Sequence, residues 1–413
     1  MYESFANKFE LIPLFVFSYN IDYNPHTLII WTHKKMSKKI FIIAGESSGD
    51  RIGSLIVDEL KLQDSDIVFM GVGGNKMENS GIKSLFPMNE ISLMGIFEIL
   101  PHIFHLKKLI NLTVDTIKTF KPNIVITIDS PGFCYRIASI LKGKIDAKFV
   151  HIIAPSVWAY KPERAAKFAK VYDLLLTILP FEPPYFEKEG LKSKFVGNFT
   201  FEQKFCEDKN IFRKKYNISK DKKMLCITPG SRNGEIKKHL AIFLGAVQIL
   251  QLNYKLATVI LAANQEIKDT IQEYVSKNNI NDILITLEDK FECYKTADVS
   301  LAKSGTNSVE IAIHGTPQVV AYKLNWFTGL YIKSVILVKF VNLINIFANR
   351  EIIPELLQNN CTSQNIASKL SELLSNKRIR DKQIKDTLAI LEDMKSDIDF
   401  PSKVAAKEIL EIL

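Results

Sequence analysis

Short apolar runs rich in Val, Ile and Leu recur along the chain, separated by stretches of helical periodicity. The first series occupies 39–44, 66–72, 123–128, 148–153 and 173–178. A second follows at 224–228, 257–262, 298–302 and 318–322. Several runs are nearly unbroken, the pattern of parallel strands covered on both faces. Their alternation with helices predicts an α/β protein built from two Rossmann-like, doubly wound domains facing a central cleft. A polar, lysine-rich stretch, 202–223, separates the series and reads as the linker. The expected organisation is an extension at 1–35, an N-terminal domain at 36–201 and a C-terminal domain at 202–376. A charged helical segment, 377–413, has no strand partner and is expected to pack back on the N-terminal domain. Residues 1–35 interleave Asn20, Asp22, Asn24 and His26 with apolar positions and hold no clean signal-peptide core. They read either as a poorly ordered extension or as a stretch upstream of the native start, since Met36 stands just before the first strand.

With 413 residues and 47% hydrophobic content, the chain can form two sizeable cores. Its five cysteines (134, 206, 226, 293 and 361) never form CxxC. That argues against a disulfide framework or a structural zinc site and fits a reducing compartment. The formal charge is +9, with bases clustered at Lys161, Arg164, Lys167 and Lys170, at 213–215 and at 377–385. Phosphorylated substrates and anionic lipid headgroups suit this charge. No RNA-reading motif accompanies it, so nucleic acid is not an expected partner. The apolar window 326–347 contains Lys333 and Lys339. Each would cost roughly 2.5–3.5 kcal/mol at a membrane centre, so the window reads as a buried or interfacial segment. The Asp-x-Asp patterns at 64–66 and 397–399, and His102 with His105, lack the frame of a metal site.

Five strand-to-helix turns carry candidate chemistry. After the first strand, Gly45-Glu46-Ser47-Ser48-Gly49-Asp50 is too acidic for a phosphate loop. It is either a capped turn or a site where Glu46, Ser48 and Asp50 bind sugar hydroxyls. Asp129-Ser130-Pro131-Gly132 follows the 123–128 strand, at the edge where open sheets bind ligands. Asp129 is placed there either as a helix cap or as a general base for a hydroxyl nucleophile. The loop 154–161 offers Ser156, Trp158, Tyr160 and Lys161, either as aromatic packing or for a sugar and an anionic group. In the second series, Gly230, Ser231 and Arg232 precede one helix, and Ser304, Gly305 and Thr306 precede another. Glycine lets the backbone approach a phosphate, a helix N-terminus favours negative charge and Arg232 adds bidentate donors. Glu310 stands within reach of ribose hydroxyls. Two such turns in one domain suit a nucleoside diphosphate.

These residues together resemble the lipid-A-disaccharide synthase family, inverting glycosyltransferases of GT-B architecture. The resemblance runs from Met36 to the C-terminus. It rests on 44–50, on Gly71-Val72-Gly73-Gly74 with Met77, on 93–98, and on Ile128-Asp129-Ser130-Pro131. It continues in 155–159, Leu179-Pro180-Phe181-Glu182, Pro229-Gly230-Ser231-Arg232, Ser304-Gly305-Thr306, Asn345 and 354–358. It implies transfer of 2,3-diacylglucosamine from UDP to the 6-hydroxyl of 2,3-diacylglucosamine 1-phosphate. The products are the β-1,6-linked lipid A disaccharide 1-phosphate and UDP, in lipopolysaccharide biosynthesis of Gram-negative bacteria. Asp129 matches the family's essential aspartate; Arg232, Glu310 and Asn345 match its nucleotide-side positions. The resemblance also implies no metal or other cofactor, cytoplasmic placement with peripheral association to the inner-membrane lipid surface, and room for a homodimer. Where the family often has a second Asp and an Asn in the Asp129 loop, this chain has Gly132 and Cys134, leaving Asp129 as the loop's lone carboxylate.

On this reading UDP leaves against Arg232 and 304–306. The apolar stretch 91–112, with Lys107 and Lys108 at one end, is either a buried core helix or an interfacial patch. The competing expectation is another GT-B enzyme of the cell envelope, a peptidoglycan glycosyltransferase or a UDP-sugar epimerase.

Overall fold

The computed structural model describes residues 37–92, 100–203, 208, 210–230, 233–278, 280–303, 305–324 and 335–413. Two six-stranded sheets organise the chain from Ser37 onward. The first contains β1 (Lys39–Ala44), β2 (Val68–Val72), β3 (Ile124–Ile128), β4 (Lys148–Ile152), β5 (Leu174–Thr177) and β6 (Ser193–Phe195), in the order β2-β1-β3-β4-β5-β6. The second contains β7 (Lys223–Thr228), β8 (Leu256–Leu261), β9 (Ile283–Thr286), β10 (Val299–Ala302), β11 (Gln318–Tyr322) and β12 (Glu355–Leu357). Its order is β12-β11-β10-β7-β8-β9. Every pairing is parallel. All residues of β3, β8 and β10 are buried, because helices cover both faces and leave no polar side to satisfy.

The strand order sets where ligands can bind. From β1 the chain moves outward to β2 and then returns to place β3 on the other side of β1. From β7 it runs out through β8 and β9, then places β10 on the opposite flank. Each reversal opens a crevice at the carboxyl ends of the strands, between β1 and β3 and between β7 and β10.

Three strands were not anticipated: β6, β9 and β12, all three or four residues long and at or near sheet edges. The expected linker is not a plain tether. It holds a helix, Ile211–Lys215, whose Phe212 is fully buried and whose Arg213 reaches Asp298 at 3.1 Å. Burying one such ring stabilises by about 2–3 kcal/mol, enough to fix this segment on the second sheet. The C-terminal segment divides its packing. Helix Lys377–Lys395 lies on the second half, where Gln383 exchanges hydrogen bonds with the Gln318 backbone at 2.8 and 3.1 Å. Helix Pro401–Leu410 packs on helix Ser47–Gln63 of the first half, burying Ala405, Ala406 and Ile409.

Candidate active site

The crevice of the first sheet is made by two touching turns. Ala44 pairs with Ile128 at the strand ends, so the turns after β1 and β3 lie side by side. A Cβ on Gly45 would stand 2.2 Å from Ser130 Oγ, so only glycine allows this approach. Asp129 and Ser130 both adopt left-handed backbone conformations, with φ of 50° and 44°, and Ile153 at the end of β4 does so at 73°. Such residues cost of order 1–3 kcal/mol each and persist only where surrounding packing imposes them. Here the buried β3 and β4 supply that constraint. Asp129 is half-buried at the crevice, and its N–H continues the ladder to Ile152 O at 3.0 Å. Burial, and then the Asp129 charge, push the adjacent Cys134 thiol upward, which keeps it protonated. Glu46 and Ser48 are half-buried across the crevice and Ser156 is exposed on the next loop.

Two expected sugar contacts have other work. Asp50 is buried, and its carboxylate accepts from the N–H groups of Gly74 (2.8 Å), Lys76 (3.1 Å) and Met77 (3.0 Å). It caps the start of helix Asn75–Asn79 and is not open to a hydroxyl. The Trp158 indole N–H donates to Glu182 Oε1 at 3.1 Å, and its ring meets Phe181 edge-on at 5.3 Å. Phe181 in turn packs on Phe347 of the second half. Trp158 therefore anchors its loop across the halves. Glu182 also accepts from Leu179 N–H at 3.1 Å, and burial pushes its carboxyl up to about 7.

The second crevice has the same plan. Ala302 pairs with Thr228, so the turns after β7 and β10 are neighbours. Gly230 and Gly305 have φ of 120° and 146°, which a side chain would oppose. Helices Asn233–Gln251 and Thr306–Ile313 start beyond them, each presenting its positive end. Ser231, Arg232, Ser304 and the Thr306 side chain lie outside the described residues. Glu310 is buried and held by Lys290, whose Nζ lies 3.0 and 2.8 Å from its two oxygens.

Asn345 is a correction. Its Oδ1 accepts from Ile352 and Ile353 N–H at 2.8 and 3.0 Å. Its Nδ2 donates to Ile353 O at 2.7 Å and Glu355 Oε1 at 2.8 Å. Two acceptor sites and two donors are all that an amide has. Asn345 is fully buried and fully used, and it holds the chain entering β12 rather than offering an atom to a nucleotide.

Charges from the two halves act on one another. Arg51 donates from both Nη atoms to Phe199 O at 3.2 Å, and burial lowers it against the raising fields of Glu310 and Glu202. Lys76 is lowered by burial and then by the positive fields of Arg51 and Lys290. Sequence patterns did not single out Arg51, Lys76 or Lys290; the only available signal was the position of Arg51 beside Asp50 in the opening turn. A cavity of about 530 Å³ lies elsewhere, beside Lys222, Lys255 and Asp282 where β7 and β8 begin. It sits at the wrong edge of the sheet for the chemistry.

The lipid-A-disaccharide synthetase family model matches residues 40–409. The lipid-A-disaccharide synthase of Rickettsia bellii is 48% identical over 378 residues, covering 90% of this chain and 98% of that protein. The Rickettsia prowazekii enzyme is 44% identical over 376 residues, with the same coverages. Among solved structures, an S. aureus MnaA–UDP co-structure superposes with a TM-score of 0.64 at 18% identity, covering 91% of this chain and 98% of its own. CalG4, the calicheamicin glycosyltransferase, gives 0.57 at 13% identity, covering 92% and 98%. These two likenesses speak for the GT-B fold alone. The peptidoglycan-transferase and epimerase alternatives are not favoured. With its family model spanning nearly every element from β1 to the last helix, the chain belongs to the lipid-A-disaccharide synthetase family, the hexosyltransferases that make the lipid A disaccharide.

Proposed function

We propose that the two crevices divide the family's reaction between them. The acceptor, 2,3-diacylglucosamine 1-phosphate, lies against the β1–β3 crevice with its 6-hydroxyl at Asp129. Glu46, Ser48 and Ser156 border the same crevice and contact its sugar. UDP-2,3-diacylglucosamine lies with its diphosphate at the turns Gly230–Arg232 and Ser304–Thr306, and with its ribose toward Glu310. Asp129 takes the hydroxyl proton as the oxygen forms its bond to the anomeric carbon. The bond from that carbon to the UDP oxygen breaks, and UDP departs with the electron pair. Helix N-termini and Arg232 stabilise the charge that develops on it.

The observation that carries this reading is Asp129 itself, a half-buried carboxylate in a strained turn at the switch point of a parallel sheet. Asp129→Asn should retain UDP binding by calorimetry and lose turnover by roughly 10²–10⁴-fold, the usual worth of a general base. Turnover within a few-fold of the parent would remove Asp129 from the chemistry.

The acyl chains of both substrates call for a lipid surface. Helix Ile103–Phe120 buries Leu109, Ile110, Val114 and Ile117 but exposes Ile103, Phe104 and Leu112, with Phe104 81% accessible. Lys107 and Lys108 are exposed on the same helix. The segment 93–99 that precedes it, with Phe97, lies outside the described residues. Among the described residues no helix is long and apolar enough to cross a membrane. The exposed face therefore serves as a peripheral contact with the inner-membrane surface. Changing Ile103 and Phe104 to Ser should reduce co-sedimentation with anionic vesicles while leaving the melting temperature in place; unchanged sedimentation would refute the contact.

A further inference from the structure

A second cavity, about 360 Å³, opens beside the Asp129 turn. One wall is the start of helix Pro131–Leu141, contributed by Pro131 and Gly132. A Cβ built on Gly132 meets nothing within 4 Å, so the first turn of this helix faces open space. The other wall carries Lys161, Arg164 and Lys167, set against one carboxylate, Glu163. Among the lining residues, cations thus outnumber carboxylates three to one. The positive end of the opposing helix adds to them.

Arg164 is the central feature. It is half-buried, and among the described residues no ion pair or side-chain hydrogen bond engages its guanidinium. Burial pulls it down, only partly offset by Tyr160 and Glu163. A partly desolvated guanidinium with idle donors suits a bidentate anion. Below it, His151 is fully buried and pushed down to about 3, first by burial and then by the Arg164 charge. It is thus neutral, and it does not compete for an anion.

We propose that this cavity is the acceptor's phosphate subsite, with Arg164 as its principal ligand and Lys161 and Lys167 supporting it. The inference rests on the acceptor assignment above. The chemistry recognised is a sugar phosphate monoester. The geometry is suitable because both the anomeric carbon that bears the phosphate and C5, to which the reacting hydroxymethyl group is attached, flank the ring oxygen. Base and anion site therefore need to stand only about one sugar ring apart. The cavity wall begins two residues after Asp129.

The test compares two acceptors, 2,3-diacylglucosamine 1-phosphate and its dephosphorylated analogue, in the parent and in Arg164→Gln and Arg164→Lys. Losing a charged hydrogen-bonding partner should raise KM for the phosphorylated acceptor by about 10- to 100-fold. KM for the UDP-sugar and the rate with the dephosphorylated acceptor should stay put, so the parent's preference for phosphate disappears. Arg164→Lys should recover part of it. Equal losses with both acceptors, or a changed donor KM, would overturn the subsite. A variant that instead loses binding to phosphatidylglycerol vesicles, with acceptor preference intact, would assign the site to a lipid headgroup and overturn it too. Calorimetry with glucosamine 1-phosphate separates this inference from its premise. A parent that binds this compound through Arg164 yet makes no disaccharide would sink the acceptor assignment and keep the anion site.

Discussion

Asn345→Ala distinguishes a structural amide from a nucleotide ligand. The substitution strands the Ile352 and Ile353 N–H groups and the Ile353 carbonyl, and it removes one donor from Glu355. Ile353 is fully buried and Ile352 nearly so. Each stranded buried group costs about 1–3 kcal/mol. Water entering the space left by the amide would relieve part of this, leaving an expected loss of about 3–5 kcal/mol. Asn345→Asp should be no milder. It keeps an acceptor for the two N–H groups but sets a second carboxylate oxygen against Ile353 O and against Glu355, whose own carboxyl burial already pushes upward. Urea denaturation gives the stability change, and hydrogen exchange at the Ile352 and Ile353 amides locates it. Calorimetric UDP titration below the unfolding transition gives the nucleotide arm, where affinity should change little. If Asn345→Ala is as stable as the parent to within about 0.5 kcal/mol while UDP affinity falls tenfold, Asn345 is a nucleotide ligand and its structural assignment here is wrong.

Gly45→Ala should push the new methyl into Ser130 and cut turnover by disturbing the Asp129 turn. Adding Ser130→Gly should restore turnover, since it removes both clashing atoms and glycine tolerates the left-handed backbone at that position. Absence of rescue in a steady-state assay would show that the two turns are not sterically coupled. Glu182 yields a pH signature. Its folded-state carboxyl is raised from 4.5 to about 7, mainly by burial, so the folded protein holds this proton to higher pH than the unfolded chain does. The contribution is present below about pH 4.5 and lost as pH rises through about 7, worth about 3 kcal/mol for 2.5 units. Glu182→Gln cannot titrate, so its urea stability should lack this fall between about pH 4.5 and about pH 8. An identical pH profile in parent and variant would contradict the shift.

Much of the architecture is written in local pattern. Runs such as 123–128 and 257–262 had to be interior strands, because only a strand covered on both faces has use for continuous Val, Ile and Leu. Glycines 230 and 305 marked the turns, because a helix entered directly from a strand needs a backbone conformation that side chains oppose. The strands that escaped notice, β6, β9 and β12, are short and partly exposed. Their pairing is supplied by the neighbouring strand and leaves little periodicity behind. The candidate site divides along similar lines. Sequence alone determined the α/β class, the two series of strand-to-helix turns and the family. It also put Asp129 at the end of a buried strand, because strand ends are set by local chemistry. Only the tertiary structure decided what each polar side chain faces. Asp50 and Asn345 look like ligands in a motif, but the atoms of Asp50 are taken by backbone groups 24 to 27 residues away, and those of Asn345 by backbone groups 7 and 8 residues away and by the Glu355 carboxylate. Trp158 belongs to the contact between the halves, and Arg164 turns from one base among many into a half-buried cation beside the reacting turn. Hydrogen-bond saturation and desolvation depend on chain segments brought together by folding, and no residue's own neighbourhood in the sequence encodes them.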